Sequence, residues 1–210
     1  MRGKTPKGKT MSKICISHNN SKLGADIPSV SMPVGVTCRP DAPCFSKCYA
    51  RKGNMARPNV KAAYTANYEI YKKDPAFFFH YVAVMTRFNR FFRWHSAGDI
   101  VDDEYFQGVI SVALENPETK YLAFTKKFDI VNRYLDAGNA LPQNLRIVFS
   151  GWDKNFHVDN PHNLPTTYVR FKDGDNSAIP EDAIPCAGKC YECVACWQLE
   201  KGQSIYFDEH

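Results

Sequence analysis

The sequence contains no apolar run long enough to cross a membrane. Its longest apolar cluster, residues 75–84, is interrupted by His80 and is far shorter than the roughly 20 residues that a spanning helix needs. No apolar segment follows the charged N-terminus, so the sequence predicts no secretory signal. Internal repeats and low-complexity segments are also missing, which excludes collagen-like chains and argues against disorder. We therefore expect a globular protein of the cytoplasm that has no membrane partner.

The body of the chain also lacks excess charge. The formal net charge of +5 comes from 27 Lys+Arg against 22 Asp+Glu, but five of the basic residues lie within residues 1–13, where no acid occurs. The remaining chain is therefore neutral. We interpret residues 1–13 as a flexible basic tail, because isolated charge runs are usually solvated. Such a tail can also contact phosphates by counterion release, so nucleic acid is a weakly indicated partner.

Helical and strand-like apolar patterns alternate along the rest of the chain. Helices are predicted at 59–73, 76–89, 102–115 and 127–137, and strands at 91–95, 121–124, 145–149 and 167–171. This alternation predicts βαβ units and a parallel sheet with right-handed crossovers. A full eightfold barrel needs about 250 residues. We therefore predict one α/β domain over 14–210, built as a partial or small (β/α) barrel with parallel strands, or as an open parallel sheet.

Polar residues follow the predicted strands, and the carboxyl ends of parallel strands share one rim. We expect a cleft there for a small polar or anionic ligand. Its candidate ligand-binding residues are Arg93 and Thr125, and its candidate catalytic residues are His95, Asp99 and Lys126. Each residue also has a structural interpretation: Asp99 as part of a turn or helix cap, Thr125 as a cap, His95 as a hydrogen-bonded core residue.

Seven of the eight cysteines form two groups. The N-terminal cysteine group, within residues 38–48, is Cys38, Cys44 and Cys48; the C-terminal cysteine group, within residues 186–196, is Cys186, Cys190, Cys193 and Cys196. A chain of this length does not need disulfides or metal ions merely to fold. In a reducing compartment, clustered thiols favour metal ligation over disulfides. Cys15 stands alone and is interpreted as a small buried hydrophobe.

The nature of the metal follows less directly from the spacing. The C-terminal group is close to the compact runs that hold iron–sulfur clusters, so we expect one or two [4Fe–4S] clusters, with tetrahedral zinc as the alternative. The two groups could also meet and share one cluster. A three-cysteine cluster leaves one iron open, as in radical enzymes that use S-adenosylmethionine. That cofactor is only weakly supported, because the N-terminal spacing is longer than theirs and the chain has no Gly-Gly pair.

Four motifs in order, over roughly residues 20–197, resemble those of a phage family known as the gene product 88 family. They are Thr37-Cys38 with Cys44-x-x-x-Cys48-Tyr49-Ala50, Phe92-Arg93-Trp94-His95-x-x-Gly98-Asp99, Phe124-Thr125-Lys126, and Cys190-x-x-Cys193-x-x-Cys196-Trp197. The resemblance implies a bacteriophage or prophage origin, a location in the host cytoplasm, and a barrel distantly similar to those of radical enzymes. The resemblance supports the predicted fold and the predicted iron–sulfur cluster more than it supports any particular reaction.

Three functions remain open at the level of sequence. The first is an iron–sulfur enzyme, of radical or redox type, whose cleft at the strand ends binds a small molecule. The second is a non-enzymatic iron–sulfur protein that senses redox state, transfers electrons or binds a host protein. The third is a zinc-stabilised nucleic-acid-binding protein, which the basic tail supports and the neutral body opposes.

Overall fold

The computed structural model describes residues 13–209, so all but the last residue of the predicted basic tail lies outside the described residues. Within that range the chain is mixed α/β, as predicted. None of its helices is long and apolar enough to span a membrane. Nothing in the structure tests the boundary between a tail and a single domain, which stays a prediction.

Eight strands form one sheet in the order β1-β2-β3-β4-β5-β6-β8-β7. The strands are β1 Ile16–Ser17, β2 Ser29–Val30, β3 Phe91–Trp94, β4 Lys120–Thr125, β5 Leu145–Ser150, β6 Thr166–Arg170, β7 Ile184–Pro185 and β8 Ser204–Asp208. All neighbouring strands are parallel except β1 and β2. The described strands leave the sheet open, with β1 and β7 at its edges, so the predicted parallel sheet is confirmed without closure into a barrel.

The helices begin and end close to where the apolar spacing predicts. They are α1 Pro58–Lys73, α2 Pro75–Thr86, α3 Asp103–Glu115, α4 Phe128–Asp136 and the short α5 Cys190–Cys193. Local chemistry sets the starts of two of them: Asp74 accepts a hydrogen bond from Phe77 N at 2.9 Å, and Asp102 accepts one from Tyr105 N at 2.9 Å. Such side-chain caps satisfy amide groups that have no partner inside the helix.

One face of the sheet packs against the long helices. Phe92 and Trp94 of β3 and Tyr121 of β4 point to this side, where they form the main core with Phe78 of α2 and Tyr105 of α3. The sequential strand order explains the arrangement, because right-handed crossovers between successive neighbouring strands place their helices on the same face. We call this side the helix face.

The opposite side, which we call the second face, is covered mainly by the C-terminal cysteine segment. Phe91, Leu122 and Val148 point to this side and pack with Cys196 and Trp197 in a separate core. Trp197 also donates a hydrogen bond from Nε1 to Phe92 O at 3.1 Å. The segment that carries four of the cysteines is therefore held directly against the middle of the sheet.

Candidate functional site

The C-terminal cysteine group lines one small cavity on the second face. All four of its cysteines, together with Val194 and Trp197, line a space of about 10 Å³, which is close to the volume that a single water needs. Burial, with smaller contributions from Cys190 and Cys186, raises the pKa of the Cys196 thiol to about 12. Gly188 N donates a hydrogen bond to Cys186 Sγ at 3.4 Å. The four predicted cysteines therefore line one cavity.

The N-terminal cysteine group lies beside the carboxyl ends of the central strands. Its three thiols are half-buried; burial raises the pKa of Cys38, and the nearby Asp99, Cys48 and Cys44 add smaller increases. Burial also raises the pKa of Cys44, which the positive charge of Lys126 opposes. Gly35 N donates a hydrogen bond to Cys38 Sγ at 3.4 Å.

All eight cysteines are free thiols. Within residues 13–209, no three His, Cys, Asp or Glu side chains are close enough together to hold a metal ion as they stand. Metal ligation by either group therefore stays a prediction.

Arg93 lies near residues of both cysteine segments. Its guanidinium stacks over the ring of Phe124 at 4.9 Å on the second face. Burial raises the pKa of the Cys190 thiol and of the Tyr49 hydroxyl, and the positive charge of Arg93 opposes both shifts. Since Tyr49 directly follows Cys48, one guanidinium influences residues of both cysteine segments.

Asp99 ties together the predicted residues at the strand ends. Its carboxylate accepts hydrogen bonds from Thr125 Oγ1 at 2.6 Å, from Lys126 N at 2.9 Å and from Ile100 N at 2.8 Å. Burial raises the pKa of Asp99, and these three hydrogen bonds oppose the shift. The structure thus brings Asp99, Thr125 and Lys126 together as predicted, with the carboxylate and the threonine hydroxyl already bonded to each other.

His95 is buried and faces α3. Its Nε2 lies 3.0 Å from Tyr105 Oη, and its Nδ1 is enclosed without a partner among the described residues. Burial, with a contribution from Arg93, lowers the pKa of His95 to about 3, so the ring is neutral at physiological pH. The backbone of His95 has a φ of +58°, a left-handed conformation that is costly for a residue with a side chain. This geometry matches the alternative of a hydrogen-bonded core histidine.

Two residues without a predicted role, Thr37 and Tyr49, connect the cysteine segment to the strand ends. Thr37 Oγ1 accepts a hydrogen bond from Asp99 N at 3.0 Å, so the residue before Cys38 is fixed to the strand ends. Tyr49 donates from its hydroxyl to Ser96 O at 2.6 Å, which fixes the residue after Cys48. Both occur in the motifs quoted above, and adjacency to a cysteine was the available signal.

Gly98 explains why the chain can approach this closely. Its φ is +77°, and a Cβ at this position would lie 2.6 Å from Met32 O and 2.7 Å from Thr37 Oγ1. Only glycine allows the loop after β3 to lie against the loop that carries the N-terminal cysteine group.

A family model described as Gene product 88 matches residues 1–199 of this chain. Neither the curated proteins nor the solved structures include a significant match to it.

Proposed function

The chain belongs to the Gene product 88 family, and on that premise we propose that it is an iron–sulfur protein whose two cysteine groups serve one site at the carboxyl ends of the parallel strands. The observation that carries the proposal is the position of Arg93, whose charge acts on Cys190 of one segment and on Tyr49, beside Cys48, of the other. The fold brings the segments from opposite ends of the chain to one cation.

The chemistry of the thiols fits a bound metal. Ligation requires thiolates, yet burial, as the largest cause, raises the pKa of Cys38, Cys44, Cys190 and Cys196. Buried thiols of this kind stay protonated at neutral pH until a metal replaces the proton. A [4Fe–4S] cluster held by Cys38, Cys44 and Cys48 would supply one-electron chemistry and one iron open to a ligand.

The cations around the thiols are placed to stabilise a negatively charged centre. Burial raises the pKa of both thiols, but the charge of Lys126 opposes this rise at Cys44, and the charges of Arg93 and Lys22 oppose it at Cys190. Backbone N–H groups of glycines approach Cys38 and Cys186, and such contacts tune iron–sulfur sites. Because the Asp99 carboxylate is already bonded, Arg93 and Lys126 are the groups that we propose for binding a small anionic ligand in the cleft.

A second candidate applies to the C-terminal group alone. Its four cysteines line one small cavity, and Cys190-x-x-Cys193 has the spacing of half of a zinc site. Four thiolates are a common structural zinc set. In this version zinc fastens the C-terminal segment to the second face, and iron–sulfur chemistry is confined to the N-terminal group.

Anaerobic purification followed by iron, acid-labile sulfide and zinc determination tests both versions. We expect a brown protein with about four or eight iron atoms per chain, and loss of iron in Cys44→Ser. Cys193→Ser tests the C-terminal group, because Cys193 is exposed and its replacement disturbs packing least. Cys15→Ser is the matched control and should keep all metal. A metal-free parent protein would refute the proposal, whereas zinc lost only in Cys193→Ser would establish the second candidate.

The role of Arg93 has its own test. Arg93→Gln should lose metal to a chelator faster than the parent, since a positive charge near the thiolates is removed. Arg87→Gln is the matched control, because Arg87 stacks on the exposed Phe88 far from any described cysteine in the sequence. Equal rates in the two variants would show that Arg93 does not stabilise the thiolates.

A further inference from the structure

Strand β6 covers only the last part of β5. The two strands pair at Phe149 with Thr166 and at Ser150 with Thr167, whereas β4 pairs with β5 from Leu145 onward. The first residues of β5 therefore have a neighbouring strand on one side only. Beside them lies a cavity of about 530 Å³, within the size range of small-molecule sites. It lies at the amino ends of the strands, opposite the end where the cysteines gather.

Arg146 is the cation of this cavity. It lines the space from β5, and its Nε is enclosed without a hydrogen-bond partner. Arg146 forms no ion pair with any of residues 13–209. Asp136 lies close to His162, another residue that lines the cavity. Its carboxylate is paired with His162 Nε2 at 2.8 Å. A partly buried guanidinium without an acid is an unusual arrangement, because buried charges are normally paired.

The backbone of β5 adds polar groups to the same space. Phe149 N donates to Pro165 O at 2.8 Å, so residue 149 directs its backbone toward β6. Ladder bonds in a parallel sheet alternate from residue to residue, so Ile147 directs its N–H and C=O to the same side. No described strand lies opposite Ile147 there, and the cavity begins at that position.

The remaining walls are mixed but more apolar than polar. They combine the apolar Leu135, Leu141 and Leu164 with the polar Asn139, Gln143 and His162, and Lys201 lies at the exposed rim. One guanidinium matches one carboxylate in a two-pronged bond, and the apolar walls match a hydrocarbon body. We propose that this cavity binds a small carboxylic acid with an apolar body, its carboxylate on Arg146 and its body against the leucines. The proposal is independent of the cysteines.

Titration with 2-naphthoate, followed by amide chemical shifts, tests the proposal on the full chain. Saturable shifts are expected at Ile147 and Leu164, and 2-naphthamide, which has the same shape without the charge, should bind at least about tenfold more weakly. Arg146→Gln should weaken naphthoate binding by a similar factor, while Arg87→Gln should bind like the parent.

Leu141→Trp provides a second variant in case Arg146→Gln fails to fold. It fills the cavity without changing charge, so naphthoate binding should be lost while the fold is kept. The proposal is overturned if naphthoate shows no saturable shifts at millimolar concentration. It is equally overturned if acid and amide bind alike, or if the shifts map to the cysteine end of the sheet.

Discussion

Replacing His95 should remove a large part of the acid sensitivity of the folded protein. The ring is 3% exposed, its Nδ1 has no partner within the described residues, and burial lowers its pKa to about 3. Burial and the positive charge of Arg93 both disfavour the imidazolium, and the Tyr105 hydroxyl is the hydrogen-bond partner of Nε2. His95→Asn removes the titration, and asparagine tolerates the left-handed backbone at this position better than most residues do.

The sign and size of the effect follow from the two pKa values. An unfolded histidine titrates near 6.5, whereas the folded ring stays neutral down to about 3. Between these values the unfolded state binds more protons, so stability falls as the pH is lowered below 6.5 and levels off near 3. The contribution of His95 to this loss is about 1.4 kcal/mol per pH unit, which gives about 2 kcal/mol at pH 5.

Urea unfolding of the parent and of His95→Asn between pH 7.5 and pH 4.5 measures the difference. The absolute stabilities will differ because the smaller side chain leaves space, so the quantity to compare is the change with pH. All other titrating groups, including the thiols, are common to both proteins. His80→Gln, at an exposed helical position, should follow the parent curve. Parallel curves for the parent and His95→Asn would show that His95 is protonated in the folded state.

Two further substitutions test the local geometry. Gly98→Ala should destabilise the fold by about 2 kcal/mol or more, because it combines a positive φ with a Cβ placed 2.6 Å from Met32 O. Gly138 also has a positive φ, but a Cβ there would meet open space, so Gly138→Ala measures the backbone strain alone. Thermal unfolding of both variants therefore separates the two effects. Equal losses of stability would contradict a steric clash at Gly98. Asn67→Ala should lower the free energy of unfolding by about 1–3 kcal/mol, since the Asn67 side chain accepts from Cys15 N at 2.7 Å and donates to Cys15 O at 3.0 Å. Amide hydrogen exchange at Cys15 that is unchanged in the variant would contradict this role of Asn67.

Short-range patterns predicted the helices well because their signals are local. The apolar spacing of residues 102–115 and the Asp74 cap are each contained within one element, and the structure places helices α3 and α2 there. Strands β3, β4, β5 and β6 were found for the same reason. Their parallel pairing followed from the alternation with helices.

The rest of the sheet depends on distant contacts that no local pattern contains. Strand β8 follows the C-terminal cysteine group and inserts between β6 and β7, a position that was not predicted. Strands β1, β2 and β7 are two residues long, too short for a period to be visible. Whether the sheet closes depends on its edges, and the antiparallel β1 is an edge that a barrel prediction could not anticipate.

The candidate site divides in the same way. Asp99, Thr125 and Lys126 were placed together correctly by the rule that strand ends share a rim. The effect of Arg93 on residues of both cysteine segments could not be derived, because it depends on which face of β3 the C-terminal segment covers. His95 follows the same strand, yet its ring bonds to α3.

The topology itself gives a reason for cysteines at the C-terminus. Right-handed crossovers place the long helices on one face, so the apolar residues of the second face must be buried by whatever chain remains. Much of that chain is the C-terminal cysteine segment, which consists of two short helical turns, Cys190–Cys193 and Ala195–Trp197. They are joined at Val194, whose φ of +47° is strained for a β-branched residue. So little regular structure gives weak local stability. Ligation of its four thiols by one metal centre would add a constraint to a segment that is otherwise anchored to the sheet by Cys196 and Trp197.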